Sequence, residues 1–240
     1  MSKQYIHFES THNLTTPSLI FPILKEIISF NSILDIGCGI GTWLSIAKKL
    51  GIEDVLGVDG DYVNHELLSK YLSQSEFKSH DLTLPLVLGR KFDFCLCLEV
   101  AEHLPEKFSD VLVDTLVRHS DLILFSAAIP GQGGQNHINE QEPNFWIKKF
   151  ETKGYYVYDP IRPLVWTNYE VDVWYKQNIF LFSKNPMDLL KPIFTHLVHP
   201  ELYQVQVQKK IQYESELEMI KSGKARPGFY LKRFFKSLLQ

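Results

Sequence analysis

Leu34-Asp35-Ile36-Gly37-Cys38-Gly39-Ile40-Gly41 is an apolar strand end containing an acid, followed by glycines at three alternate positions and a helix that begins near Thr42. With no Cβ at the glycines, a nucleoside-bearing ligand can lie almost against the backbone of such a turn. Nicotinamide and flavin domains use the spacing G-x-G-x-x-G. They set a pyrophosphate on the helix N-terminus and hold a ribose with an acid that closes the next strand. Here the spacing is G-x-G-x-G, and Asp35 stands two residues before the first glycine. A carboxylate there opposes a pyrophosphate and suits a ligand with a cationic ammonium. For any one of these glycines a plain tight turn is the competing reading.

Outward from this turn, apolar strands alternate with helical stretches. Ser32–Ile36 reads as the first strand and Thr42–Leu50 as a helix stopped by Gly51. Asp54–Val58 is the second strand, closed by Asp59-Gly60, and Val63–Leu72 reads as helical. A weak third strand around Phe77–His80 ends in Asp81-Leu82. Phe92–Leu98 is a nearly continuous apolar run, as expected of a strand covered on both faces, with Cys95 and Cys97 as small core residues on one side. Pro105–His119 (helix), Asp121–Ala127 (strand), Asn144–Lys153 (helix) and strands at Tyr155–Asp159 and Asn178–Phe182 complete the series. A helix over Pro17–Ser29, with Thr16 as N-cap, leads in. The alternation predicts an α/β fold, a doubly wound and mostly parallel sheet of seven strands with right-handed crossovers. It occupies residues 1–185, with the helical lead-in in 1–30, and residues 186–240 form a C-terminal helical extension.

The chain of 240 residues can bury a full core, and its 45% apolar and 22% charged residues are those of an ordinary globular protein. A net charge of −3 gives no reason to expect strong, unspecific nucleic-acid binding. No apolar run reaches the ~18 residues of a spanning helix and the N-terminus lacks a signal-peptide pattern, so the expected location is cytoplasmic. The three cysteines include no C-x-x-C pair, which argues against a zinc ribbon or a disulfide framework.

These segments, in this order and spacing, resemble the class I S-adenosylmethionine-dependent methyltransferases, whose fold is a Rossmann-like sheet of this kind. The resemblance runs from about Ile33 to about Phe182. It implies that Asp35, Gly37, Gly39 and Gly41 form the cofactor turn and that Asp59, with Gly60, meets the ribose. It places Asp81 and Leu82 at the adenine and Leu98 and Glu99 beside the cofactor's methionine part. A nicotinamide-dependent dehydrogenase and a non-catalytic S-adenosylmethionine-binding module are the alternatives.

After the fourth strand, Glu99-Val100-Ala101-Glu102-His103 sets two acids and a histidine at i, i+3 and i+4, and His137 follows the fifth strand toward the same crevice. Three readings stay open. The segment can simply shape the loop; His137 or His103 can accept a proton from an acceptor hydroxyl; or Glu99, Glu102, His103 and His137 can hold magnesium, manganese or zinc. The last pattern resembles the metal site of small-RNA 2′-O-methyltransferases and ubiquinone-pathway O-methyltransferases.

Ile129-Pro130-Gly131-Gln132-Gly133-Gly134 is too glycine-rich for a helix and reads as a functional loop. Arg162, Trp166, Tyr169, Trp174, Tyr175, Gln177 and Asn178 suit a sugar, sugar nucleotide or phosphorylated small molecule, or else pack the C-terminal extension. With the G-Q-G-G-x-x-H-x-N-E-Q stretch they resemble small bacterial methyltransferases encoded among glycan or capsule biosynthesis genes. The expected reaction is O-methylation of a small hydroxylated or phosphorylated metabolite such as a polysaccharide precursor. The tail Phe229–Leu239 is basic and amphipathic at helical spacing, and fits packing on its own domain, a membrane surface or a partner subunit.

Overall fold

The computed structural model describes residues 5–7, 12–192, 195–223 and 227–238. Seven strands, β1 (Ser32–Ile36), β2 (Asp54–Asp59), β3 (Phe77–Ser79), β4 (Phe94–Leu98), β5 (Leu122–Ser126), β6 (Tyr156–Tyr158) and β7 (Phe180–Ser183), form one sheet in the order β3-β2-β1-β4-β5-β7-β6. The pairs from β3 to β5 are parallel, and β7 runs antiparallel between β5 and β6. The chain builds outward from β1 in one direction, then returns to β4 and builds in the other. Such a switch point opens a crevice at the carboxyl ends of β1 and β4.

Helices cover both faces: α1 (Thr15–Ile27), α2 (Thr42–Lys49), α3 (His65–Leu68), α4 (Ser109–His119), α5 (Pro143–Thr152), α6 (Arg162–Val165) and α7 (Val173–Asn178). The period of two in β4 divides the core. Phe94, Leu96 and Leu98 pack with Phe21, Leu24 and Leu44, whereas Cys95 and Cys97 pack with Leu112, Leu116 and Phe150. All three cysteines are buried free thiols.

The differences from the expected elements are local. The helix α1 begins at Thr15, and the capping oxygen is Asn13 Oδ1, which accepts from Thr15 N (2.9 Å) and Thr16 N (3.3 Å). Thr16 instead gives its hydroxyl to Asp172 Oδ2 (2.7 Å) and accepts from Asp172 N (3.1 Å), tying α1 to the start of α7. The helix expected over 63–72 is regular only in His65–Leu68, because the Ser69 hydroxyl bonds back to the Glu66 carbonyl (2.8 Å) and competes with the ladder. Pro105 opens a 3₁₀ turn at Glu106–Phe108 before α4 starts.

Residues 1–199 make one compact unit and residues 200–240 a second. The second holds α8 (Pro200–Lys221) and α9 (Pro227–Leu238); Leu239, expected in the last helix, lies outside the described residues. No described helix is long and apolar enough to cross a membrane.

A buried ion pair closes the sheet's far edge. Arg162 Nε donates to Asp159 Oδ1 (3.0 Å) and its Nη2 to Oδ2 (2.6 Å), with Nη1 on the Gln177 carbonyl (3.0 Å) and the guanidinium over the Phe180 ring. Arg162→Ala leaves the Asp159 charge buried and unpaired, so urea unfolding should show a loss of about 3–5 kcal/mol. A loss below about 1 kcal/mol would mean that water reaches the pair.

Candidate active site

The glycine turn is held from three sides. Gly37 has φ +81° and donates to the Val58 carbonyl (2.7 Å); a Cβ on it would stand 2.3 Å from Val100 Cγ2. Gly39 has φ +53°, and a Cβ there would press on the rings of His7 and His12 at 3.2 Å. Asp59, at the end of β2, braces the turn: Oδ2 accepts from Gly39 N (2.8 Å) and Oδ1 from Gly60 N (2.7 Å). Its burial raises its pKa against these bonds and the one from Tyr62. Beside it Asp35 is 3% exposed, and burial, then the charge of Asp59, push its pKa up to about 8.

A cleft of about 940 Å³ opens over this turn. Asp35, Gly37, Gly39, Asp59, Gly60, Asp81, Leu82, Leu98 and Glu99 all line it. Gly41 is not among the lining residues. It caps α2 with φ +86° and packs on Leu72, so its role is the turn itself. Six acids face the cleft, Asp35, Asp59, Asp61, Asp81, Glu99 and Glu102, and no lysine or arginine does among the described residues.

Loop bonding then gathers the far wall. The Glu102 carbonyl accepts from Ile138 N (2.9 Å) and Asn139 N (3.1 Å), which brings the loop after β5 onto the turn after β4. The rings of His103 and His137 meet edge to face at 5.0 Å, and Tyr5 lies against His103 at 4.9 Å. One ligand atom each from Glu102, His103 and His137 lies within 4.8 Å of the others. Both carboxyl oxygens of Glu102, and His103 Nδ1, are buried without a hydrogen-bond partner. Burial and the neighbouring Glu99 raise the pKa of Glu102, and burial holds His103 at about 4. His137 Nδ1 is bonded to Glu140 Oε1 (2.9 Å).

Glu99 neighbours Glu102 but engages its own oxygens elsewhere. Its Oε1 accepts from Asn178 Nδ2 (3.0 Å) and its Oε2 from Gln132 Nε2 (3.0 Å), so it fastens the 129–134 loop and the end of α7 to β4. Its backbone is left-handed, with φ 55°. The loop is further pinned by Glu140, which accepts from Gly131 N (2.7 Å) and Gly133 N (2.6 Å).

Of the residues considered for an acceptor, Trp174 and Tyr175 line the cleft. Arg162 serves the buried ion pair, and Gln177 bonds the Leu197 carbonyl (2.8 Å) and His199 N (2.6 Å). Trp166 packs on His199, and Tyr169 is 87% exposed. Conversely Tyr5, His7, His12, Trp43 and Tyr62 line the cleft and carry no sequence signal, since Y-x-H-x-x-x-x-H has neither strand nor helix period. His7 stacks on Tyr62 at 5.9 Å.

A family model described as a methyltransferase domain matches residues 11–124. Just under half of the chain is thus similar to a methyltransferase domain. The ribosomal protein L11 methyltransferase of Fusobacterium nucleatum is 26% identical over 121 residues, 48% of this chain and 38% of that protein, so the chain spans well under half the length of this relative. Among solved structures, the sugar N-methyltransferase KedS8 from Streptoalloteichus sp. superposes with a TM-score of 0.57 at 11% identity, covering 78% of this chain and 98% of that one. The S-adenosylmethionine-bound aminopentose methyltransferase CalS10 of Micromonospora echinaspora gives 0.55 at 12%, covering 76% and 100%. The methyltransferase domain of bacterial CtHen1 gives 0.51 at 19%, covering 71% and 100%. The fold is therefore that of the class I methyltransferases.

Burial pushes the His7 imidazole down to about 4 from 6.5. Its contribution to stability is full above pH 6.5 and is lost as pH falls toward 4, because the unfolded chain takes up the proton first. Asp35 acts in the opposite sense, its contribution full below its ordinary value and fading as pH rises toward 8. His7→Gln removes one proton from the acid-side linkage. Its unfolding free energy should fall less steeply than that of the unmodified protein between about pH 6.5 and 4.5, by up to about 1.4 kcal/mol per pH unit. Parallel curves would place His7 in water.

Proposed function

We propose that the protein transfers a methyl group from S-adenosylmethionine to a hydroxyl of a small polyhydroxylated metabolite, a sugar or glycan precursor. The observation that carries this reading is the juxtaposition, in one cleft, of an acid-lined nucleoside turn and the Glu102–His103–His137 trio, in which the Glu102 oxygens and His103 Nδ1 lack a hydrogen-bond partner. Six carboxyl groups and, among the described residues, no lysine or arginine favour a ligand bearing a sulfonium and an ammonium over a dinucleotide with its phosphates. In this reading Asp59 meets the ribose hydroxyls and Asp35 the methionine ammonium. The same charge balance favours a neutral acceptor over a phosphorylated one. The likeness to KedS8 and CalS10 supports a sugar as the acceptor; the choice of oxygen rests on the trio, since KedS8 methylates nitrogen.

The sulfonium is already activated, so the domain's work is alignment and exclusion of water. The acceptor oxygen attacks the methyl carbon, the carbon–sulfur bond breaks, and S-adenosylhomocysteine leaves. A hydroxyl must give up its proton as the methyl group arrives, and in this reading the trio receives or displaces it. Its orphaned oxygens and Nδ1 fit a divalent cation, with Glu102, His103 and His137 as ligands and Glu140 orienting His137. When bound, such an ion lowers the pKa of a hydroxyl beside it. Glu99 is left out of the ligand set because both of its oxygens are already engaged. In the second reading no ion binds, and His137, held through Nδ1 by Glu140, takes the proton on its other nitrogen.

Asp59→Ala should weaken S-adenosylhomocysteine binding by about 1–3 kcal/mol in calorimetry; unchanged affinity would misplace the ribose, and tight binding of a nicotinamide dinucleotide would replace the cofactor. Saturating manganese, at about 100 times its Kd, should stabilise the unmodified protein by about 2.7 kcal/mol in a thermal melt and leave Glu102→Gln almost unmoved. Equal shifts in both proteins would remove the cation and leave His137 as the base.

A further inference from the structure

Charge along the chain is strongly uneven toward its C-terminal end. From Met219 onward the sequence holds Lys221, Lys224, Arg226, Lys232, Arg233 and Lys236 and no acid. Six of the 25 basic residues and none of the 28 acidic ones lie there, so the preceding 218 residues carry a net charge of −9. Within this basic stretch lies α9, whose apolar residues fall at helical spacing: Pro227, Tyr230, Leu231 and Phe234 line one shallow groove. Tyr230, Leu231 and Phe234 are 45%, 58% and 58% exposed. Lys232, Arg233 and Lys236 occupy positions of the helix offset from that row.

We infer that α9 is an in-plane anchor for an anionic lipid surface. A short helix with exposed aromatic and aliphatic residues on one side and cations beside them lies in the headgroup region, its apolar row among the acyl chains and its charges on lipid phosphates. The row rules for lipid over nucleic acid, because phosphate-backbone binding uses the cations alone and gives exposed Leu231 and Phe234 nothing to enter. The charge rules for lipid over a second copy of the chain, because two such helices face to face would bring their positive stretches together. One amphipathic helix without a lipid chain gives reversible, salt-sensitive attachment, in keeping with a domain that exchanges its cofactor with water.

The full chain is mixed with sedimentable vesicles of phosphatidylcholine, alone or with about one third phosphatidylglycerol, at about 0.1 M salt. Expected is sedimentation with the anionic vesicles only, reduced about tenfold or more at about 0.5 M salt. Two variants divide the contributions: Leu231→Glu combined with Phe234→Glu, and separately Lys232→Ala combined with Arg233→Ala and Lys236→Ala. Each should lower binding at least tenfold, with unchanged far-ultraviolet circular dichroism and melting temperature. Equal binding to both vesicle types, or to neither, overturns the proposal. So does a concentration-dependent dimer abolished by Leu231→Glu, which would give the face to a second copy, or RNA binding that survives loss of the apolar row.

Discussion

Parallel strands that start together also end together, and in this sheet the ends carry acids. Asp35 sits in β1 between Gly57 of β2 and Leu96 of β4, Asp59 closes β2, and Glu99 follows β4. Their carboxyl groups therefore share a poorly hydrated edge, and burial raises the pKa of all three. Such crowding costs stability unless something neutralises it. Backbone N–H groups of the glycine turn do so for Asp59, and amide side chains do so for Glu99. Among the described residues no hydrogen-bond donor meets Asp35, and a cationic ligand is the natural completion of that edge.

The opposite wall depends on hydrogen bonds between segments distant in sequence. Glu99 holds Gln132 and Asn178 at once, and Asn178 Nδ2 also reaches Gln132 Oε1 (2.9 Å). Three connections, after β4, after β5 and at the end of α7, are thus parts of one network, and the cluster of Glu102, His103 and His137 hangs from it. Glycine-rich loops are usually the mobile parts of such clefts. This one is anchored at Gly131, Gln132 and Gly133.

The sheet was legible because its signals are local and strong. The all-buried β4 could only be a strand covered on both faces, and the glycine run could only be a turn. The seven strands fall where the apolar runs lie. The helix after β2 was over-extended because side-chain competition at Ser69 has no periodic signature. Asp35, Asp59, Asp81, Glu99 and Glu102 drew notice because they stand in, or soon after, the strands, whereas Asp61 of the same cleft did not. Arg162 and Gln177 could not be assigned, since a polar side chain that serves a buried network looks the same in sequence as one that serves a ligand. The converse case is Tyr5, His7 and His12, which reach the cleft only through the tertiary path of the N-terminal segment.

Glu140 has a consequence beyond holding a loop. One carboxylate receives two backbone N–H groups and the Nδ1 side of His137. An imidazole whose Nδ1 carries the hydrogen leaves its lone pair on Nε2, so the tautomer of His137 is set by the same group that orders the glycines. Order and tautomer are therefore linked quantities: whatever loosens Gly131 and Gly133 also frees the ring to exchange its hydrogen between nitrogens. Which nitrogen of His137 keeps its lone pair is in this sense a property of the loop's fold.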